Sequence, residues 1–106
     1  MARQTSTTRR EIEVAVPSGA VTLSAILGLP PKAKGVVAFA HGSGSGRFSP
    51  RNTYVAHELQ DAGLATLLID LLTVAEAVSR QAVFDIDLLA ERLMSATTWL
   101  QQDPQT

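Results

Sequence analysis

The residues with the most chemical potential stand in one stretch, His41-Gly42-Ser43-Gly44-Ser45-Gly46-Arg47-Phe48-Ser49-Pro50-Arg51-Asn52. Alternating glycines let a backbone take positive φ and turn its N–H groups toward a ligand. A helix beginning just beyond adds partial positive charge. Such a loop suits an anion, either a phosphate or the oxyanion that forms during acyl transfer. Asp70 is the second point of interest. It closes an apolar run at the carboxyl edge of the expected sheet, where open α/β folds bind ligands. It can orient the loop, or simply cap the turn that follows. Arg47 and Arg51 can draw an acidic substrate or pair with Asp70, but exposed surface arginine is the favoured reading of both.

Other readings of these residues are weaker on physical grounds. A triad of Ser43 or Ser45, His41 and Asp70 would need a defined three-body geometry, which residues two apart on a flexible loop rarely supply. His41 is therefore read as a buttress of the loop. His57 falls on a polar helix face and is read as solvent-exposed. Two histidines without a neighbouring carboxylate pattern give no metal site, and no cofactor is indicated. As a phosphate site, the loop lacks the Lys-Ser/Thr of a P-loop, and Arg47 stands where G-x-G-x-x-G needs its third glycine. Thr73 and Glu76 are explained by capping, and Trp99 is read as core.

The elements that must hold these residues follow from patterning. Glu11 to Val16 alternates, with Ile12, Val14 and Val16 on the inner side, and predicts a half-exposed strand. Pro17-Ser18-Gly19-Ala20 is a turn, and Val21 to Leu27 completes a hairpin. Gly28 to Gly35 reads as a loop. The continuous apolar runs Val36–Ala40 and Leu64–Ile69 predict strands buried on both faces, as in a helix-covered parallel sheet. Between them a helix from Asn52 presents Val55, Leu59 and Ala62 inward and ends at Gly63. Thr73 with Glu76 forms a capping box for a short helix toward Ala82. Asp85 caps a longer one with an Ile86, Leu89, Leu93, Ala96, Leu100 stripe, stopped by Pro104. The expected fold class is α/β: a β-hairpin, then βαβα with a parallel sheet. The sheet should be incomplete, because a further parallel strand normally follows such a helix. An open edge of that kind invites self-association or docking of another chain.

At 106 residues the chain suits one domain, assigned to residues 11–106 after a flexible tail at 1–10. It is 45% apolar and 18% charged, which argues against wholesale disorder. A net charge of -1 gives no basic surface for nucleic acid. The absence of cysteine excludes disulfides, thiolate metal sites and a cysteine nucleophile. The basic N-terminus is not followed by an apolar segment, so it is no secretory signal. No run reaches the roughly 20 apolar residues of a membrane span. The cytoplasm is the expected compartment.

The segment Val36 to Gly46 resembles strand three and the oxyanion loop of α/β-hydrolases. Arg47 to Asn52, Leu64 to Asp70 and Phe84 to Leu93 are similar to the dienelactone-hydrolase-related branch. The resemblance covers nearly everything after Val14. It implies a loop of Gly42, Ser43 and Gly44 whose backbone N–H, at Ser43 or its neighbour Gly44, donates to the oxyanion. The second donor in this fold follows the nucleophile in a G-x-S-x-G elbow. No such pentapeptide occurs in the sequence, since Gly42 to Gly46 has glycine at its centre. The resemblance places elbow, acid and base beyond Thr106. The expected function is thus an N-terminal fragment of a serine-type hydrolase, inactive alone, whose intact form acts on a small ester or lactone. Two alternatives stand beside it: a phosphate- or nucleotide-binding module using the same loop, and a non-catalytic complementation subunit.

Overall fold

A computed structural model describes residues 10–41, 46–78 and 85–103. The tail, the glycines and serines of 42–45, the stretch 79–84 and Pro104 lie outside the described residues. Arg10, which the sequence pattern assigns to the tail, opens the first strand.

Strands β1 (Arg10–Ser18) and β2 (Val21–Leu29) pair antiparallel from Arg10↔Leu29 to Ser18↔Val21. The expected alternation holds. Val16 is fully buried, Ile12 and Val14 are half-buried, and Glu11, Glu13 and Ala15 face solvent. The connecting turn is Gly19-Ala20, with φ +59 at the glycine, a conformation costly for any residue bearing a Cβ. β2 runs through Gly28, which the sequence pattern assigns to a loop. A Cβ there would strike the Gln60 amide, so the strand needs glycine for close approach of the neighbouring helix.

Strand β3 (Val36–His41) leads into a single 3₁₀ turn, Gly46–Phe48, and then helix α1 (Pro50–Asp61). β4 (Ala65–Asp70) follows, then a short helix α2 (Val74–Ala77) and a long helix α3 (Ile86–Gln102). The sheet order is β1-β2-β4-β3. β4 is antiparallel to β2 and parallel to β3, from Val36↔Ala65 to His41↔Asp70. The sheet is open, a mixed four-stranded α/β arrangement.

One expectation for the two apolar runs fails. Every residue of β4 is buried, but β3 is the edge strand, with Ala38 and Ala40 exposed. An apolar run records what a strand tolerates; its exposure depends on which neighbours flank it.

The main core lies on one face of the sheet. Val16, Leu23, Ala25, Leu27, Ala65, Leu67 and Ile69 meet Ala96, Leu89, Trp99 and Leu100 of α3. The other face receives α1 through Ala56 and Gln60. Both helix faces differ from the apolar stripes expected. On α1, Val55 and Ala62 are exposed and Leu59 half-buried. On α3, Ile86 and Leu93 are 71% and 41% exposed, while Arg92 is buried. In each helix a polar side chain with a specific partner occupies the inward position. The Gln60 amide donates to Thr66 Oγ1 at 2.7 Å. Arg92 donates to the Leu71 carbonyl at 3.0 Å and bidentately to Glu76, at 2.7 and 2.9 Å.

The caps are as expected. Thr73 and Glu76 form a reciprocal capping box, and the Asp85 carboxylate accepts from the Leu88 N–H at 3.0 Å. α1 begins earlier than Asn52, because Ser49 caps it and Pro50 takes the first helical position, where its missing N–H costs nothing. Its end is a Schellman motif: Gly63 has φ +94 and donates to the Gln60 carbonyl at 3.0 Å, and Leu64 donates to Leu59 at 3.0 Å.

Candidate functional site

The parallel pair β3/β4 ends at His41 and Asp70, which sit in register. Strand alternation turns Asp70 away from the core of Ile69 and Leu71, toward the side that carries α1. Asp70 is 1% exposed. Burial of a carboxylate at that depth requires compensating donors. Arg47 supplies them twice. Its backbone N–H donates to Asp70 Oδ1 at 2.9 Å, and its guanidinium pairs with Oδ2. The guanidinium also stacks 4.2 Å over the Phe48 ring. Residue 47 is thereby tied to the tip of β4 by both main chain and side chain.

His41 is fixed as firmly. Its carbonyl accepts from the Leu71 N–H at 2.8 Å, and its Nδ1 lies 3.3 Å from the Ile69 carbonyl oxygen. Its Nε2 meets the Asn52 side-chain amide in a short contact. Gly46 lies against the imidazole. A Cβ at Gly46 would fall 2.5 Å from His41 Cβ and 2.6 Å from Cγ, so no other residue fits there unshifted. The residues on both sides of 42–45 are thus anchored to β4: His41 through its ring and carbonyl, Gly46 by contact with that ring, Arg47 by the Asp70 pair.

The other residues expected from sequence are placed as follows. Gly42, Ser43 and Gly44 lie outside the described residues. Arg51 is exposed on the first turn of α1. His57 sits on the same helix and donates to Glu11 Oε2 at 2.7 Å, both side chains remaining more than a third exposed. Asn52 joins the site without a sequence signal of its own. Its type is ordinary in a first helical turn, and only its meeting with His41 marks it.

A second polar assembly lies after β4. The Arg92 guanidinium, with help from the Thr73 N–H, holds the Glu76 carboxyl at about 2, below its ordinary 4.5. The same pairing raises Arg92. This assembly ties α2, α3 and the end of β4 together. A groove of about 410 Å³ opens elsewhere, between Pro17 and α3, with Met94, Trp99 and Glu91 in its walls. It shares no lining residue with the His41–Asp70 cluster, so concavity and chemistry do not coincide. Among the described residues no helix is long and apolar enough to cross a membrane.

No family model matches the chain. A dienelactone hydrolase from Anabaena variabilis superimposes with a TM-score of 0.85 at 54% identity, covering 93% of this chain and 48% of that one. Est1E from Butyrivibrio proteoclasticus gives a TM-score of 0.71 at 14% identity, over 89% of this chain and 36% of its own. A dienelactone hydrolase-like promiscuous phosphotriesterase from metagenomic libraries gives 0.70 at 21% identity, over 93% of this chain and 45% of its own. These last two establish fold alone. Two Mycobacterium tuberculosis proteins named as phosphoribosyl transferases are 54% identical over 97 residues. That stretch is 92% of this chain but 22% of theirs, so the chain spans about a fifth of the curated relatives it matches. In fold, and in sequence against the Anabaena enzyme, the chain matches about half of a dienelactone hydrolase, as an open part of that α/β architecture.

Proposed function

We propose that this chain supplies the oxyanion loop of a serine-type α/β-hydrolase acting on a small ester or lactone. The observation that carries the reading is the double anchorage around residues 42–45. Asp70 holds Arg47 by two bonds and His41 is pinned to β4, which suits a loop whose backbone donors must not reorganise during reaction. Ser43, or Gly44 beside it, would present the donor N–H. A single donor of that kind is worth about 2.7–4 kcal/mol of transition-state stabilisation. Residues 1–106 contain no G-x-S-x-G elbow, so the nucleophile, acid and base would come from elsewhere in the intact protein. Both ring nitrogens of His41 are engaged, and Asp70 is bonded to Arg47, which favours a supporting role for His41 over that of a base.

The test is to read the gene beyond the codon for Thr106 and to weigh its native product. A frame continuing into G-x-S-x-G, an acid and a histidine supports the reading, as does ester or lactone hydrolysis by that product. A product of 11.3 kDa that joins no elbow-bearing chain overturns it.

The name of the mycobacterial relatives favours a second reading, a phosphate or nucleotide site on the same loop. Against it stands the match of this chain to a dienelactone hydrolase, at 54% identity and a TM-score of 0.85. Thermal stabilisation by nucleotides or phosphoribosyl donors, and not by esters or lactones, would favour the second.

A further inference from the structure

We infer that Asn52 is a positioning residue: it holds the His41 ring in the tautomer that the Ile69 carbonyl selects and, through the ring, fixes the point from which the loop leaves β3. This rests on the reading of Gly42–Gly44 as an oxyanion loop. Two bonds to the ring determine the assignment. A carbonyl oxygen can only accept, so the bond to Ile69 assigns the proton to Nδ1 of His41. Nε2 of the neutral ring is then an acceptor, and the Asn52 amide is the donor that meets it. The Ile69 carbonyl thus sets the tautomer of a residue on β3, and one side chain on α1 locks the ring in it.

The selection has a mechanical consequence. With the proton on Nε2 instead, Nδ1 would turn a lone pair toward the Ile69 oxygen and the Asn52 donor would face an N–H. The Ile69 contact would become repulsive even if the Asn52 amide turned its oxygen to the ring, and the ring would have to rotate or withdraw. Gly46 lies directly against His41 Cβ and Cγ, so ring movement displaces the chain on the far side of the loop as well. Asn52 reaches this point because Ser49 and Pro50 start α1 early, placing residue 52 in the first turn with its N–H on Ser49 Oγ. The two loop flanks therefore rest on different devices, Asp70 under Arg47 and Asn52 beside His41.

The test is ¹⁵N NMR of the full chain, reading the His41 ring nitrogens and the backbone amides of Gly42, Ser43 and Gly44. Wild type should show His41 protonated at Nδ1 and not at Nε2. Asn52→Asp keeps the shape but replaces the donor with an acceptor. It should bring a proton onto Nε2, as the Nε2–H tautomer or the doubly protonated ring, and move the three loop amides. Asn52→Leu should leave the proton on Nδ1, where the Ile69 carbonyl still accepts it, but free Nε2 of its donor and displace the same amides. Glu58→Ala, an exposed change on the same helix, should leave both readouts in place and exclude a general effect on α1. Should Asn52→Leu fail to fold, the near-isosteric Asn52→Asp still decides. Wild-type His41 protonated at Nε2, ring nitrogens unmoved in Asn52→Asp, or a tautomer change without displaced loop amides would each overturn the inference. None of these results depends on hydrolysis, so a failed search for the elbow sinks the proposed function and leaves the tautomer result intact.

Discussion

Asp70 and Arg47 share an ion pair but not its environment. The Asp70 side chain is 1% exposed and that of Arg47 16%. Removing the cation leaves a buried carboxylate with the main-chain N–H of residue 47 but without its counter-charge, whereas removing the anion leaves a guanidinium at the surface margin. Arg47→Met should therefore cost about 3–5 kcal/mol, in the range for breaking one side of a buried pair. Asp70→Asn, which keeps an acceptor for the Arg47 N–H, should cost about 1–2 kcal/mol. Urea unfolding of the two variants gives the comparison. If Asp70→Asn were the more damaging, Asp70 would be holding more than Arg47. The sequence marks His41 and Asp70 as the residues that close two apolar runs, but it offers the Arg47–Asp70 pair only beside a substrate contact and an exposed surface arginine. Asn52 was not legible. Nothing local separates an asparagine that caps or faces solvent from one that reaches a histidine 11 residues earlier.

Between elements, Glu76 carries a pH signature. Its folded pKa lies near 2 against an ordinary 4.5, first because Arg92 hydrogen-bonds its ionised form. A depressed carboxyl stabilises the fold fully above its unfolded pKa and loses that contribution as pH falls toward the folded one. The stability gap between wild type and Glu76→Gln should be complete at neutral pH. It should close as pH drops from 4.5 toward 2. A gap that stays constant over that window would mean that the Arg92 pair contributes nothing through charge. Local signals predicted the caps at Thr73, Asp85 and Gly63 and the alternation of β1, since each rests on residues within a few positions. The inward faces of α1 and α3 escape such signals for the opposite reason. Gln60 and Arg92 are buried because Thr66, Leu71 and Glu76 satisfy them, and a hydrophobic stripe cannot register such partners.

For the molecule as a whole, the edge at β3 matters most. Among the described residues, Ala38 and Ala40 are exposed on a strand paired on one side only, and such edges template further pairing. The chain should associate as its concentration rises and bind a hydrophobic dye. Ala38→Lys should suppress association without lowering stability by more than about 0.5 kcal/mol, the usual reach of a surface change. Light scattering across a dilution series checks this, and a wild type that stays monomeric throughout refutes it.

The strand order has a further consequence on the ribosome. β3 emerges before β4, yet β4 is its neighbour in the sheet and also separates it from β2. The hairpin of β1 and β2 can close as soon as it clears the exit tunnel. β3 must then wait, unpaired, while α1 and all of β4 are synthesised. At about 5–20 residues per second, the interval from His41 to Asp70 is of the order of seconds. During that time the stretch Val36-Val37-Ala38-Phe39-Ala40 is what a nascent-chain chaperone would find, and ribosome-bound chains halted with β3 outside the tunnel and β4 still within it should be its best clients.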